Sequence, residues 1–138
     1  MPEPAPRPAP PAGIDPAGVP HLGLDLDGTI DERPDFFATL SHVWPGPVTV
    51  ITYRRDRAKA VADLARLGVR YDGLELVSAI DAKPAVVERL GITVYADDQD
   101  EMTAGMPEGV LVLKVRNGGN FDFDTRRWLY SDQTGERV

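Results

Sequence analysis

The chain has 138 residues, 42% of them apolar, and its 22 acidic side chains outnumber 15 basic ones to give a net charge of −7. A chain of this length forms one domain with a genuine core, and the absence of cysteine excludes a thiol nucleophile, a thiolate zinc site and a disulfide scaffold. The acidic balance argues against strong nucleic-acid binding, which needs clustered Lys and Arg, and no apolar run is long enough to span a membrane.

The first twenty residues are rich in proline, with 8 of the 13 prolines of the chain. Proline removes backbone donors and favours extended, solvated chain, so we predict a disordered tail over residues 1 to 20 and a single domain over residues 21 to 138. A proline-rich docking segment is the alternative to a plain linker. An acid and prolines stand where a secretory signal has a basic end and an apolar stretch, which favours a cytoplasmic protein.

From residue 21 onward, strand and helix patterns alternate. The firmest strand is Val48–Thr52, which is β-branched at every position. The other predicted strands cover residues 21 to 26, 74 to 78, 92 to 96 and 109 to 115. The predicted helices cover residues 35 to 43, 54 to 67 and 83 to 90, with a short helix after Asp98.

This alternation predicts an α/β fold, a Rossmann-like parallel sheet of about five strands with helices on both faces. The end of the chain differs, because an Asn-Gly-Gly-Asn turn over residues 117 to 120 precedes Phe121 and Phe123 and then Trp128 and Tyr130. We expect an antiparallel hairpin or meander there. An exposed Trp128 and Tyr130 on this hairpin would mark a contact surface for a homo-oligomer.

Polar residues recur where the predicted strands end. Because the carboxyl ends of parallel strands form the crevice in which ligands bind, these side chains should converge at one edge of the sheet. Lys83, at the start of a helix, precedes the fourth strand. The residues at the strand ends are Asp25, Asp27, Thr52, Asp97 and Asp98.

The order of these residues resembles the four signatures of the haloacid dehalogenase-like hydrolase superfamily. Residues 25 to 29, with the sequence Asp-Leu-Asp-Gly-Thr, resemble the first signature, and Thr52 at the end of an apolar strand resembles the second. Lys83 resembles the third, and the Asp97-Asp98 pair resembles the fourth. The resemblance covers residues 21 to 115 and implies a phosphoryl-transfer site on a Rossmann-like fold.

The chemistry of phosphoryl transfer explains these residue types. A carboxylate can attack phosphorus only if the two negative charges are screened, which implies a bridging Mg²⁺ held by oxygen ligands. Asp25 is the candidate nucleophile. Asp27 would protonate the leaving oxygen and later activate the hydrolytic water.

The resemblance implies roles for the other residues as well. The Asp25 carboxylate and the main-chain carbonyl of Asp27 would bind the metal, together with Asp97 or Asp98. Asp97 is favoured because it comes first after the strand. Thr52 and Lys83 would hold the phosphoryl oxygens.

Three further residues are candidates for substrate binding. Gly28 would let the chain turn closely past the phosphate, with amide hydrogens near it and near Thr29 as anion donors. Arg54, followed by Arg55 and Arg57, would bind a second phosphate or a sugar-phosphate leaving group, unless these arginines form a solvated helix turn. His21 and His42 are expected to be structural or exposed.

The spacing of the signatures departs from that of many relatives. Only 27 positions separate Asp25 from Thr52, and 31 separate Thr52 from Lys83, which leaves no room for a cap domain. Ala96 stands where many relatives carry glycine. We therefore expect a capless, magnesium-dependent phosphatase that acts on a phosphomonoester, either a small molecule or a macromolecular end. A phosphotransferase on the same scaffold, or a catalytically weak metal-binding or regulatory module, is the alternative.

Overall fold

The computed structural model describes residues 6–116 and 118–128. The strands are β1 (His21–Leu24), β2 (Val48–Thr52), β3 (Gly73–Leu76), β4 (Ile92–Asp97), β5 (Leu111–Lys114), β6 (Phe121–Asp122) and β7 (Arg127–Trp128). The helices are α1 (Pro34–Val43), α2 (Arg57–Leu67), α3 (Lys83–Leu90) and α4 (Asp100–Thr103). Within these ranges, no helix combines the length and the apolarity needed to cross a membrane.

The main sheet has five parallel strands in the order β3-β2-β1-β4-β5, which confirms the predicted α/β class. From β1 the chain proceeds outward through β2 to β3 and then crosses back to β4 on the other side of β1. The order therefore reverses between β1 and β4, and ligands bind at such a switch point in open α/β sheets.

The short strands β6 and β7 pair antiparallel, as the predicted hairpin requires. The side chain of Trp128 and the whole of Tyr130, which were expected to mark a contact surface, lie outside the described residues.

Two apolar clusters cover the two faces of the sheet. One joins alternate residues of β1 and β2 to Phe37 of α1 and Leu64 of α2. The other joins Ile51 and Tyr95 to Val87 of α3. Because successive strand residues point to opposite faces, β2 contributes Val50 to the first cluster and Ile51 to the second.

Several element boundaries differ from the predicted ones for local reasons. Strand β1 ends at Leu24 because the chain turns at residues 26 to 30. Helix α2 begins at Arg57 rather than at residue 54, because the side chain of Asp56 accepts a hydrogen bond from the Lys59 amide and caps the helix. Strand β4 extends to Asp97, which pairs with Lys114 of β5.

The described part of the proline-rich segment lies mostly exposed along the domain. It includes one short turn at Pro16–Gly18, and the indole nitrogen of Trp44 donates a hydrogen bond to the carbonyl of Pro20. A half-exposed Arg7 also pairs with Asp72 at 3.3 Å.

We expect deletion of residues 1 to 18 to lower the thermal midpoint by no more than about 5 °C. The deleted residues bury little, and an ion pair as exposed as Arg7–Asp72 is worth at most about 1 kcal/mol. Thermal unfolding of the full and the shortened chain measures the difference. A loss of cooperative unfolding in the shortened chain would contradict this expectation.

Candidate functional site

The chain leaves β1 through an unusual turn that holds the first acidic residues. Residues Leu26–Ile30 form a turn that is not helical, because Asp27 has an extended backbone and Gly28 adopts a left-handed φ of 84°. The amide of Asp25 donates to the carbonyl of Ala96 at 3.0 Å, which extends the pairing of β1 with β4 beyond the strand. Asp25 is therefore fixed at the switch point of the sheet.

Three buried carboxylates meet at this point. Oxygens of Asp25, Asp97 and Asp98 all lie within 4.8 Å of one another. The ammonium of Lys83, at the first residue of α3, is 1% exposed and donates to Asp25 Oδ1 at 2.7 Å and to Asp97 Oδ2 at 2.8 Å. The structure thus brings together four of the residues that the sequence singled out.

The cluster holds more negative than positive charge. Burial, with the nearby charge of Asp97, raises the pKa of Asp25 to about 7. Burial and the neighbouring Asp25 carboxylate raise the pKa of Asp98 to about 9. Burial alone would lower the pKa of Lys83, but the charges of Asp25 and Asp97 raise it on balance. The pKa values of Asp25 and Asp98 rise because burial disfavours their charged forms and the single ammonium of Lys83 does not offset the repulsion between neighbouring carboxylates.

The hydrogen-bond partners separate Asp97 from Asp98. Asp97 Oδ2 accepts from Lys83 and from the Tyr95 hydroxyl, and its Oδ1 accepts from the Gln99 amide at 2.9 Å. Asp98 is only 3% exposed, and neither of its oxygens accepts a hydrogen bond from a donor group among the described residues. Its carboxyl lies against that of Asp25, with which it can share a proton. A buried, unpartnered carboxylate is costly unless a cation or a proton satisfies it.

These carboxylates fit a hard divalent cation such as Mg²⁺, which takes oxygen ligands. Asp25 and Asp98 are the ligands that the hydrogen bonding favours, whereas the sequence favoured Asp97 over Asp98. Asp97 instead holds Lys83 and Tyr95.

Tyr95 is a member of this site that the sequence analysis missed. It is fully buried, its hydroxyl donates to Asp97 at 2.8 Å, and its ring lies 5.7 Å from the Lys83 ammonium. A Cβ on Gly23 would lie 2.7 Å from the Tyr95 ring, so only glycine lets the ring pack there. Burial holds the pKa of Tyr95 well above its ordinary value, which keeps the hydroxyl a donor. The alternation of β4 could have revealed it, because residues two apart share a face.

Asp27 lies apart from the buried cluster. Its side chain is 51% exposed and accepts two hydrogen bonds from Arg54, at 2.8 Å from Nε and 2.6 Å from Nη2. The remaining Arg54 nitrogen donates to Asp63 at 2.7 Å. All three guanidinium nitrogens are therefore engaged, and Asp63, which no motif indicated, completes this ion-pair network.

The other singled-out residues of the first two signatures take different positions. Thr52 ends β2 fully buried, and its hydroxyl has no hydrogen-bond partner within the described chain. The Thr29 hydroxyl donates to Asp25 Oδ2 at 3.0 Å and so orients that carboxylate. The Gly28 amide donates to Asp31 at 2.7 Å, which occupies one of the amide hydrogens expected to bind an anion.

The two histidines lie outside the cluster. His21 bonds to the carbonyl of Leu90 and to the Thr49 hydroxyl, and burial lowers its pKa. An exposed ring nitrogen of His42 bonds to the carbonyl of Gly68.

A cavity of about 230 Å³ opens beside the cluster. It connects the buried Asp98 with the exposed rim of the first turn. Its walls are formed by Asp27, Gly28, Asp31, Glu32, Asp98 and Gln99.

Comparison of the chain with models of protein families, with curated proteins and with solved structures finds no match. The function of the site is therefore inferred from its own residues and geometry.

We expect Asp98→Asn to stabilise the metal-free protein. Folding raises the pKa of Asp98 from 3.8 to about 9, so the folded chain keeps a proton that the unfolded chain loses. Stability should therefore fall as pH rises from about 4 to about 9, and the substitution should remove much of that fall. In chelator at pH 8 the thermal midpoint should rise on the order of 5 °C, and added Mg²⁺ should stabilise only the wild type.

The exposed variant Asp35→Asn is the control for this measurement, because it removes a carboxylate from the surface of α1. An Asp98→Asn protein that is less stable than the wild type in chelator would contradict the unpartnered state of the carboxylate.

We expect Gly28→Ala to weaken Mg²⁺ binding by at least about tenfold. Alanine would meet left-handed strain there, at φ 84°, and its Cβ would lie 2.1 Å from Asp98 Oδ2, which must move. Gly91→Ala is the matched control, because Gly91 has φ 69° but no atom within 4 Å of an added Cβ. Both variants should lose about 1 kcal/mol to strain, and calorimetric titration with Mg²⁺ separates them. Equal Mg²⁺ affinity in the two variants would contradict the close contact of Gly28 with Asp98.

Proposed function

We propose that this protein is a magnesium-dependent phosphatase that hydrolyses a phosphomonoester, and that it is a capless member of the haloacid dehalogenase-like hydrolase superfamily. The observation that carries the proposal is the buried cluster of Asp25, Lys83 and Asp98, where no donor group among the described residues binds the oxygens of Asp98. Asp98 lies next to Asp25, which Lys83 holds in place. This pair of carboxylates could bind a cation that also contacts a phosphate. The position at the switch point between β1 and β4 supports a ligand site on general grounds.

Asp25 is the nucleophile of the proposal. Lys83 holds one of its oxygens and Thr29 holds the other, so the carboxylate has a fixed orientation. Its attack on phosphorus breaks the bond to the leaving oxygen and forms an aspartyl phosphate, which water then hydrolyses to inorganic phosphate and free Asp25. When bound, Mg²⁺ screens the repulsion between the carboxylate and the phosphate. Asp25, Asp98 and the main-chain carbonyl of Asp27 would hold it.

Lys83 and Thr52 would bind the phosphoryl oxygens. The Lys83 ammonium has three protons, of which Asp25 and Asp97 engage two. The third proton is available to a phosphoryl oxygen. The buried Thr52 hydroxyl, at the end of the strand next to β1, has no partner within the described chain and would gain one from such an oxygen.

Asp27 would act as the general acid and base. It lies on the rim, where Arg54 holds it in a bidentate ion pair. This position is near the leaving group of a substrate whose phosphate lies over Asp25. The role requires one carboxylate oxygen to turn to the leaving oxygen, while the other stays bound to Arg54.

The same ion pair favours a second candidate, a metal-binding module with little turnover. If Arg54 and Asp63 hold Asp27 permanently, the buried cluster still binds a cation but lacks a mobile proton donor. The two candidates differ in the contribution of Asp27 to catalysis.

The first test is a panel of phosphomonoesters assayed with Mg²⁺. We expect hydrolysis to stop in excess chelator and to return with Mg²⁺, because two anions cannot approach unscreened. Asp25→Asn should abolish both turnover and labelling of the protein by phosphate, whereas Asp35→Asn should keep them. Full activity in chelator would contradict the assignment of the site.

The same panel assigns the role of Asp27. Asp27→Asn keeps the side-chain volume and the main-chain carbonyl, and it should lower hydrolysis of alkyl phosphates by about 100-fold or more. Aryl phosphates should lose less, because their leaving groups need little protonation. Equal losses on both kinds of substrate, with attack limiting turnover, would reject the general-acid role and favour the weak module.

A further inference from the structure

The walls of the cavity beside the carboxylate cluster carry ionisable groups of one charge sign. Every ionisable side chain that lines it is acidic, namely Asp27, Asp31, Glu32 and Asp98. Its volume of about 230 Å³ is several times the share of one water molecule in the liquid, roughly 30 Å³. A small leaving group would therefore fit in it.

The charges of this wall are compensated unequally. Arg54 neutralises Asp27. Asp31 accepts the Gly28 amide, which orients its carboxylate, but neither Asp31 nor Glu32 has a cationic partner within 4 Å anywhere in residues 6–116 or 118–128. Asp98, which is buried and accepts no hydrogen bond from the described part of the chain, forms the inner end of the same cavity. Hydrogen-bond donors and positive charge are thus what a ligand must bring.

An anionic leaving group is disfavoured by the same contacts. The sequence singled out Arg54 as a receptor for a second phosphate, but its three nitrogens already bind Asp27 and Asp63. A second phosphate or a carboxylate next to the ester would face Asp31 and Glu32 and would be repelled.

We propose that the substrate is an aminoalkyl phosphomonoester, whose ammonium group lies between Asp31 and Glu32. This inference rests on the proposed phosphatase function. Hydrolysis would convert the ester and one water molecule into an amino alcohol and inorganic phosphate. A cation bound by Asp25 and Asp98 neutralises the inner end of the cavity, and the ammonium neutralises its rim.

Isosteric substrates test the proposal. The compounds are 2-aminoethyl phosphate, propyl phosphate, in which a methyl replaces the ammonium, and carboxymethyl phosphate. With Mg²⁺ present, kcat/KM should be about five- to tenfold higher for the amine than for the propyl ester and lowest for the carboxylate, the size expected for two partly exposed ion pairs.

Two variants locate the preference in the cavity. Asp31→Asn combined with Glu32→Gln should bring the ratio of the amine to the propyl ester close to one, whereas Asp35→Asn should keep it. Calorimetric titration of the Mg²⁺-loaded Asp25→Asn protein with the same esters gives a readout without turnover, and the amine should bind more tightly than the propyl ester by a similar factor.

The outcomes distinguish the two levels of the proposal. Hydrolysis of aryl phosphates with no preference for the amine, or a preference that survives in the double variant, would overturn the aminoalkyl assignment and leave the phosphatase intact. The absence of hydrolysis of every ester, aryl phosphates included, together with no binding of the amine to the Asp25→Asn protein, would overturn both.

Discussion

The buried ammonium of Lys83 is the interaction on which the centre of this protein depends. It joins Asp25, after β1, to Asp97, at the end of β4, so it ties together the two strands between which the sheet order reverses. A buried charge is tolerable only when it is paired. Removing the ammonium, or removing the carboxylates that it binds, would leave an unpaired charge in the core. The start of α3 is fixed to the same point, because Lys83 is its first residue. The site and the packing of the sheet thus share one contact.

The buried cluster has fewer positive groups than carboxyl groups. One ammonium serves three carboxyl groups, and it binds Asp25 and Asp97 but not Asp98. Asp98 consequently lacks a donor partner among the described residues, and its pKa is raised to about 9. Natural structures tolerate such local conflict when the surrounding fold holds it in place. Here the apolar clusters on the two faces of the sheet provide that support, with Tyr95 belonging to one of them while its hydroxyl reaches Asp97.

The sequence was sufficient for the features that follow from chain topology. Alternating strand and helix patterns predict parallel strands, and parallel strands have their carboxyl ends at one edge of the sheet. The meeting of Asp25, Lys83 and Asp97 at that edge can therefore be predicted without knowing any side-chain conformation. The sequence could not predict which side chains bind one another at this edge, because the pairing depends on side-chain rotamers and on contacts between segments that are distant in the chain. Arg54 is separated by 27 residues from Asp27 but binds it, and no local signal distinguishes that pair from a solvated arginine.

The choice between Asp97 and Asp98 depends on both chain topology and side-chain contacts. Position in the sequence favoured Asp97, because it is the first acid after the predicted strand. The same position puts its side chain on the face of Tyr95 and Lys83, which both donate to its Oδ2, while the Gln99 amide donates to its Oδ1. Asp98 lies one residue further, beyond the strand, and its carboxylate packs against Gly28, where a side chain would exclude it. The first acid therefore organises the core of the site, and the second has no donor group bound to it among the described residues.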